Sequence, residues 1–231
     1  MAESKTPGRF ILFDLDGTLI DSLGAISFHL NKVLGKHGCS SIPIERVKAL
    51  IGNSSRYLVD HALNETGCED LSLEEKENIL NEYNGSYYKD PVIKTLVYKG
   101  VEDLLKKLKD EGHLLGILSN KPDEIVKNIV QEIFGDNYFD NVRGFREDVP
   151  RKPDPASLFA MLEEMNVNPQ DVIYVGDSEV DAELGHAAGV RTILVSYGFR
   201  TLEELEKEPC EVIVASIEEL TNYLEAQAEG V

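Results

Sequence analysis

The stretch Phe10-Ile-Leu-Phe-Asp14-Leu-Asp16-Gly17-Thr18-Leu-Ile-Asp21 constrains the fold of this chain more than any other. Four apolar residues run straight into an acidic, glycine-containing turn, the pattern of a buried strand that delivers carboxylates to the edge of a sheet. Two aspartates two residues apart leave the strand end together. Desolvating neighbouring carboxylates is expensive unless a cation or a shared proton relieves their repulsion, so the pair points to metal binding or acid–base chemistry. The plain alternative is a solvated turn that caps the next helix.

Behind this turn the pattern is helical. Ser22 is placed to cap a helix bearing Leu23, Ile26, Leu30, Val33 and Leu34 on one face, and short helices follow around Val47 to Ile51 and Tyr57 to Leu63. Ser72 and Glu75 form a capping box for a further helix that Asp90-Pro91 breaks. No strand is expected from Ser22 to about Pro91. Beyond it helix and strand alternate, with strands at His113 to Leu118, Val172 to Val175, Thr192 to Val195 and Val212 to Val214, and a brief one around Val142. The expected fold is α/β, a doubly wound parallel sheet with a Rossmann-like core. Residues 1–21 and 92–231 form that core, and residues 22–91 form an inserted helical domain.

Charge and cysteines narrow the functional classes. With 23 Lys plus Arg against 42 Asp plus Glu, the formal charge of -19 repels phosphate backbones and anionic lipids, so neither nucleic acid nor membrane is an expected partner. A small anionic substrate then needs a local cationic pocket. Cys39, Cys68 and Cys210 are odd in number and widely spaced, so by pattern they form neither a disulfide framework nor a zinc site. A reducing cytoplasm is the expected location, since the polar Met1 to Arg9 is followed by an apolar run too short for a signal peptide or a span. Both monomer and homodimer remain open. None of the five histidines has a metal spacing, and they are read as structural or surface residues.

In a parallel sheet function gathers at the carboxyl ends of the strands, which is where Asp14, Asp16, Ser119 and Asp177 fall. Lys152 precedes a proline, which disfavours helix and favours an extended segment aiming the ammonium into the cleft. A carboxylate nucleophile, a second carboxyl group, a hydroxyl, an ammonium and a distant aspartate on one edge suit displacement at phosphorus. Hard oxygen ligands from Asp14 and Asp177 suit Mg2+, with Ser119 and Lys152 donating to the phosphoryl oxygens.

The ordered segments Asp14-Leu-Asp16-Gly17-Thr18-Leu, Ser119-Asn120-Lys121, Lys152-Pro153-Asp154-Pro155 and Gly176-Asp177-Ser178-Glu-Val-Asp181 resemble the four motifs of the haloacid dehalogenase superfamily. The continuation Asp181 to Gly189, with Gly185, Ala187, Ala188 and Gly189, and the stretch Tyr197-Gly198-Phe199 resemble its phosphoglycolate phosphatase-like branch. The resemblance implies that Asp14 attacks the substrate phosphate and becomes an aspartyl phosphate. It implies that Asp16 protonates the departing alkoxide and then activates water. It places Mg2+ on Asp14, Asp177 and the backbone carbonyl of Asp16, with Asp181 supporting the metal site. Thr18, Ser119, Asn120 and Lys152 are the core residues implied to bind substrate. Gly52 to Arg56 resembles the loop of the helical cap that faces the active site, with Ser54 where glycine is expected; Asn53 and Arg56 are the substrate-binding candidates there, Arg56 for a substrate carboxylate. The implied substrate is a small phosphorylated metabolite, with 2-phosphoglycolate the first choice. Pyrophosphatase and sugar-phosphate mutase share the catalytic set, and a phospho-accepting signalling receiver is the alternative of a different class.

Overall fold

The structure is a computed structural model that describes residues 9–229, so residues 1–8, 230 and 231, assigned to the core from sequence, lie outside the described residues. Strand β1 (Phe10–Phe13) is followed by the short β2 (Ile20–Asp21). Four helices come next: α1 (Leu23–Lys36), α2 (Ile44–Leu50), α3 (Ser55–Glu65) and α4 (Leu73–Lys89). The chain continues through β3 (Leu96–Val97), α5 (Val101–Asp110), β4 (Leu114–Pro122), α6 (Asp123–Phe134) and β5 (Asn141–Phe145). It ends with α7 (Ala156–Met165), β6 (Val172–Gly176), α8 (Glu179–Ala188), β7 (Arg191–Val195), α9 (Leu202–Leu205), β8 (Val212–Val214) and α10 (Ile217–Glu229).

The main sheet has six strands in the order β5-β4-β1-β6-β7-β8, and every pairing in it is parallel. Alternation along β1 explains the two layers. Ile11 and Phe13 face one side, in the core shared with Leu104 and Leu108 of α5, Ile125 and Ile129 of α6 and Leu220 of α10. Phe10 and Leu12 face the other, against Leu158 and Leu162 of α7 and Leu184 of α8. Because both faces are covered, β1 is apolar throughout and all four of its residues are buried. The chain passes from β1 outward to β4 and β5, then returns to β6 on the opposite side of β1. That reversal makes the β1/β6 edge the topological switch point, where a crevice opens beyond the strand ends.

Three local features depart from the sequence expectation. Strands β2 and β3 pair antiparallel through Ile20↔Val97 and Asp21↔Leu96, forming a ribbon where the helical segment leaves and rejoins the core. Two residues a side are too few to show an alternation. Strand β4 runs on through Ser119-Asn120-Lys121 to Pro122, because a shift in register lets Pro122 pair with Phe145 of β5. Ser22 occupies the cap position of α1 but makes no capping bond; its hydroxyl donates to Asp16 instead. The Ser72–Glu75 capping box is present as expected, with Glu75 N–H donating to Ser72 Oγ at 3.3 Å and Ser72 N–H to Glu75 Oε2 at 2.8 Å.

The cysteine reading is corrected: Cys39 and Cys68 form a disulfide, with Cα atoms 6.1 Å apart. The pairing arises because the end of α1 packs beside the turn between α3 and α4, a proximity that sequence spacing does not reveal. Cys210 is free. Closing a loop across a separation of 29 residues removes entropy from the unfolded chain. Cys39→Ser is therefore expected to lower stability in urea by about 2–4 kcal/mol under oxidising conditions. The difference should vanish in dithiothreitol, and equal midpoints for the two oxidised proteins would contradict the stapling role. Among the described residues, no helix is long and apolar enough to cross a membrane.

Candidate active site

Three strand ends meet at the switch point because their registers are level: Phe13 is opposite Ile117 of β4 and Val175 of β6. Asp14 extends the β1 ladder by one bond, its N–H donating to Val175 O at 2.8 Å. The chain then turns tightly, with Gly17 N–H bonded to Ile20 O at 2.8 Å and Gly17 at φ +83°. Any side chain at Gly17 would collide with the Asp177 carboxylate, so this glycine serves both the turn and the approach of β6.

The charged groups interlock. Lys152 Nζ, on a side chain 3% exposed, lies 3.1 Å from Asp14 Oδ1 and 2.8 Å from Asp181 Oδ1, and donates to the Tyr174 hydroxyl at 3.0 Å. Its position is fixed by Asn120, whose Oδ1 accepts from Lys152 N–H at 2.9 Å and whose Nδ2 donates to Lys152 O at 3.0 Å. Asn120 also lines the cleft, and its Nδ2 lies 3.5 Å from Gly52 O. Asp181 Oδ2 accepts from the backbone N–H groups of Asp177 and Ser178 and from the Ser178 hydroxyl, at 3.2, 3.1 and 2.7 Å. Asp177 Oδ2 accepts from Phe199 N–H at 2.7 Å.

Carboxylate oxygens of Asp14, Asp177 and Asp181 lie within 4.8 Å of one another. Burial is the main force pushing the Asp14 carboxyl up to about 7; Lys152 opposes it, while Asp181 and Asp16 add repulsion. Burial, followed by the charges of Asp181 and Asp14, holds Asp177 well above the usual carboxylate range. Lys152 behaves oppositely: burial disfavours its charge, but Asp14 and Asp181 outweigh that and keep it an ammonium. Ionising the three carboxyl groups against one ammonium would leave a buried surplus of negative charge, which a divalent cation matches. Among the described residues Asp14 Oδ2 and Asp177 Oδ1 accept no hydrogen bond, so oxygen donors are free for a hard metal ion.

Asp16 stands apart from that cluster. Its Oδ1 accepts from the Ser22 hydroxyl and from Lys121 Nζ, the latter at 2.7 Å, and Lys121 also donates to the Tyr87 hydroxyl of α4 at 3.1 Å. Asp16 was expected at the metal through its backbone carbonyl, and its carboxylate is outside the oxygen cluster. Sequence reasoning gave no site role to Lys121, Ser22, Tyr87 or Tyr174. Lys121 was visible as part of the segment after β4, whereas the tyrosines read as ordinary apolar positions.

The cleft between these strand ends and the helical segment is lined from the core by Asp14, Asp16, Asp177 and Ser119, and from the other side by Asn53 and Tyr83. Its volume is about 70 Å³. A single water needs about 10–15 Å³ on this measure, so the space suits a ligand the size of a few waters. Three expected substrate residues are absent from the lining, and one of them, Lys152, is buried beside Asp14. Thr18 is buried, with its hydroxyl unpartnered and its carbonyl accepting from the Tyr197 hydroxyl at 3.0 Å, and it does not line the cleft. Arg56 is half exposed, pairs with Glu77 of α4 and is absent from the lining. The arginine that does line the cleft is Arg200, in the loop after β7.

A doubly wound sheet with an acidic switch point and a helical segment over it defines a class of hydrolases, and residues 11–195 match the model of the haloacid dehalogenase-like hydrolases. The chain belongs to that family. Within it, the chain is 33% identical over 222 residues to phosphoglycolate phosphatase 1 of Pseudomonas aeruginosa, covering 96% of this chain and 81% of that protein. It is 33% identical over 202 residues to the phosphoglycolate phosphatase of Psychrobacter arcticus, covering 86% and 88%. A crystal structure from Lactobacillus delbrueckii subsp. bulgaricus superposes with a TM-score of 0.87 at 27% identity, covering 95% of this chain and 99% of that one.

Proposed function

We propose that the protein is a Mg2+-dependent phosphatase that hydrolyses a small phosphorylated metabolite through an aspartyl phosphate, with 2-phosphoglycolate as the preferred substrate. The carrying observation is that two carboxylates at one strand end have different surroundings: Asp14 with Lys152 and the acidic cluster, Asp16 with Ser22 and Lys121 outside it. Such a division suits a nucleophile and an acid–base group. The names of the relatives and the small cleft support the choice of substrate.

In this reading an Asp14 oxygen attacks phosphorus, the bond from phosphorus to the ester oxygen breaks, and Asp16 gives its proton to the departing alkoxide. Asp16 then takes a proton from water, whose oxygen attacks phosphorus; the bond to Asp14 breaks and phosphate leaves. Ser119 donates to a phosphoryl oxygen. Lys152 holds Asp14 in line, its ammonium 3.1 Å from Asp14 Oδ1. Mg2+ held by Asp14, Asp177 and the Asp16 carbonyl supplies charge neutralisation of the phosphoryl oxygens. Asp181 acts by fixing Lys152 and the start of α8. Residues 22–91 serve as the cap that excludes water during turnover, and the β2–β3 ribbon as its stem. A receiver would need neither Asp16 as an acid nor this insert.

Chelation should abolish turnover and Mg2+ should restore it. A thermal test separates binding from catalysis. Without metal, the unfolded chain ionises Asp14 near its ordinary value of 3.8, whereas the folded chain keeps that proton to about 7. The folded state therefore binds more protons across this window, and the contribution of Asp14 to stability falls as pH rises through it. A divalent ion needs the ionised carboxylates and removes their repulsion, so Mg2+ should raise the melting temperature far more at about pH 8 than at about pH 5. Equal shifts at both pH values would remove these aspartates from the metal site.

A further inference from the structure

The two ends of the cleft differ in chemistry. The core end carries Asp14, Asp16 and Asp177, which the proposed phosphatase reading commits to the phosphoryl group and its metal. The other end is formed by Gly52-Asn53-Ser54-Ser55, the segment that enters α3, with Arg200 beside it. Arg200 reaches this place from the core: its Nη2 donates to Ile51 O at 2.9 Å, and its guanidinium lies so close to bare backbone that a Cβ on Gly52 would sit 3.0 Å from Nη2. Glu179 accepts from Nε and Nη2 at 2.7 and 3.0 Å and fixes the plane of the group. Among the described residues Nη1 has no hydrogen-bond partner, so a donor remains for a ligand.

Ser54 adds to this end by capping α3, its hydroxyl accepting from Tyr57 N–H at 3.0 Å. The first turn of the helix thus opens on the cleft with its partial positive charge. Glu179 balances the guanidinium charge, so this end offers a ligand aimed donors, Arg200 Nη1 and the first-turn N–H groups of α3. The other cation on the lining, Lys121, is taken by Asp16, and Lys152 is buried behind Asp14. Arg200 lines the same small cleft as Asp14, so a substrate whose phosphate lies at Asp14 has its remaining atoms in a space that Arg200 bounds.

We infer that Arg200 is the specificity-determining residue of the cleft: it receives a second anionic group of the substrate, a carboxylate close to the phosphate ester, against the Gly52–Ser55 segment. Arg200 assumes the role that the sequence assigned to Arg56, and it selects phosphorylated hydroxy acids over neutral phosphate esters. The inference rests on the phosphatase reading and adds to it the residue that selects the substrate.

The test compares kcat/KM for 2-phosphoglycolate and for 2-hydroxyethyl phosphate, the same ester with a neutral alcohol in place of the carboxylate. Wild type, Arg200→Met, Arg200→Lys and Arg56→Met are measured with Mg2+, and melting temperatures verify folding. Wild type should prefer the acid, and Arg200→Met should cut that preference by about tenfold or more, mainly through KM. Arg200→Lys should restore part of it by returning the charge. A preference that is absent in wild type, unchanged in Arg200→Met, or lost in Arg56→Met alone overturns the inference while leaving the phosphatase reading intact. Failure of wild type to hydrolyse either ester or p-nitrophenyl phosphate removes that reading, and this inference with it.

Discussion

Asp14→Asn should lose essentially all turnover, on the order of 10⁶-fold where a nucleophile is removed from an otherwise intact site. The neutral amide neither attacks phosphorus nor offers an anionic ligand to Mg2+. Stability should move in the opposite direction. Burial and its acidic neighbours make the Asp14 carboxylate unfavourable above about pH 7, so in metal-free protein at about pH 8 the amide should melt no lower than wild type. Lys152 keeps Asp181 at 2.8 Å and is not left unpaired. The stabilisation by Mg2+ should shrink at the same time. Phosphate release reads the first effect and melting curves with and without Mg2+ the other two, and mass spectrometry of substrate-quenched wild type seeks the phosphoryl group on Asp14. Wild-type turnover in the verified variant would displace Asp14 as nucleophile.

How far such a site is legible beforehand depends on whether a residue acts through its place on a strand or through a neighbour distant in sequence. Asp14, Ser119 and Asp177 sit where apolar runs end, and any parallel sheet with those runs level brings them together. The α/β class follows from the same alternation of runs. Lys152 was readable because a following proline straightens its segment, although the clamp that Asn120 provides was not. Arg200 and Arg56 show the limit. Arg56 opens helix α3 and Arg200 lies in a loop, and only the packing of the loop after β7 against Ile51 sends Arg200 into the cleft, while Glu77 pairs with Arg56 at the surface. The Cys39–Cys68 pair and the two-residue ribbon depend likewise on helix packing that no local pattern encodes.

The role of Asp16 can be isolated by changing the leaving group. An alkoxide leaving at neutral pH needs a proton, whereas p-nitrophenolate departs without one. Asp16→Asn should therefore slow 2-phosphoglycolate by about 10²–10⁴-fold, the usual worth of a general acid, and the first step with p-nitrophenyl phosphate far less. The second step complicates steady-state rates, because breakdown of the aspartyl phosphate by water also uses Asp16 as base. With the aryl ester, then, the variant should release a burst of p-nitrophenolate equal to the enzyme and turn over slowly afterwards. Lys121 and Ser22 both donate to the same oxygen of Asp16, and either can still donate to the amide oxygen of Asn. The substitution thus preserves the local bonding while removing the transferable proton. Equal losses on the two substrates in the pre-steady state, with chemistry rate-limiting, would deny Asp16 the acid role. A burst with the aryl ester and none with the alkyl ester would place both proton transfers on this one carboxyl group.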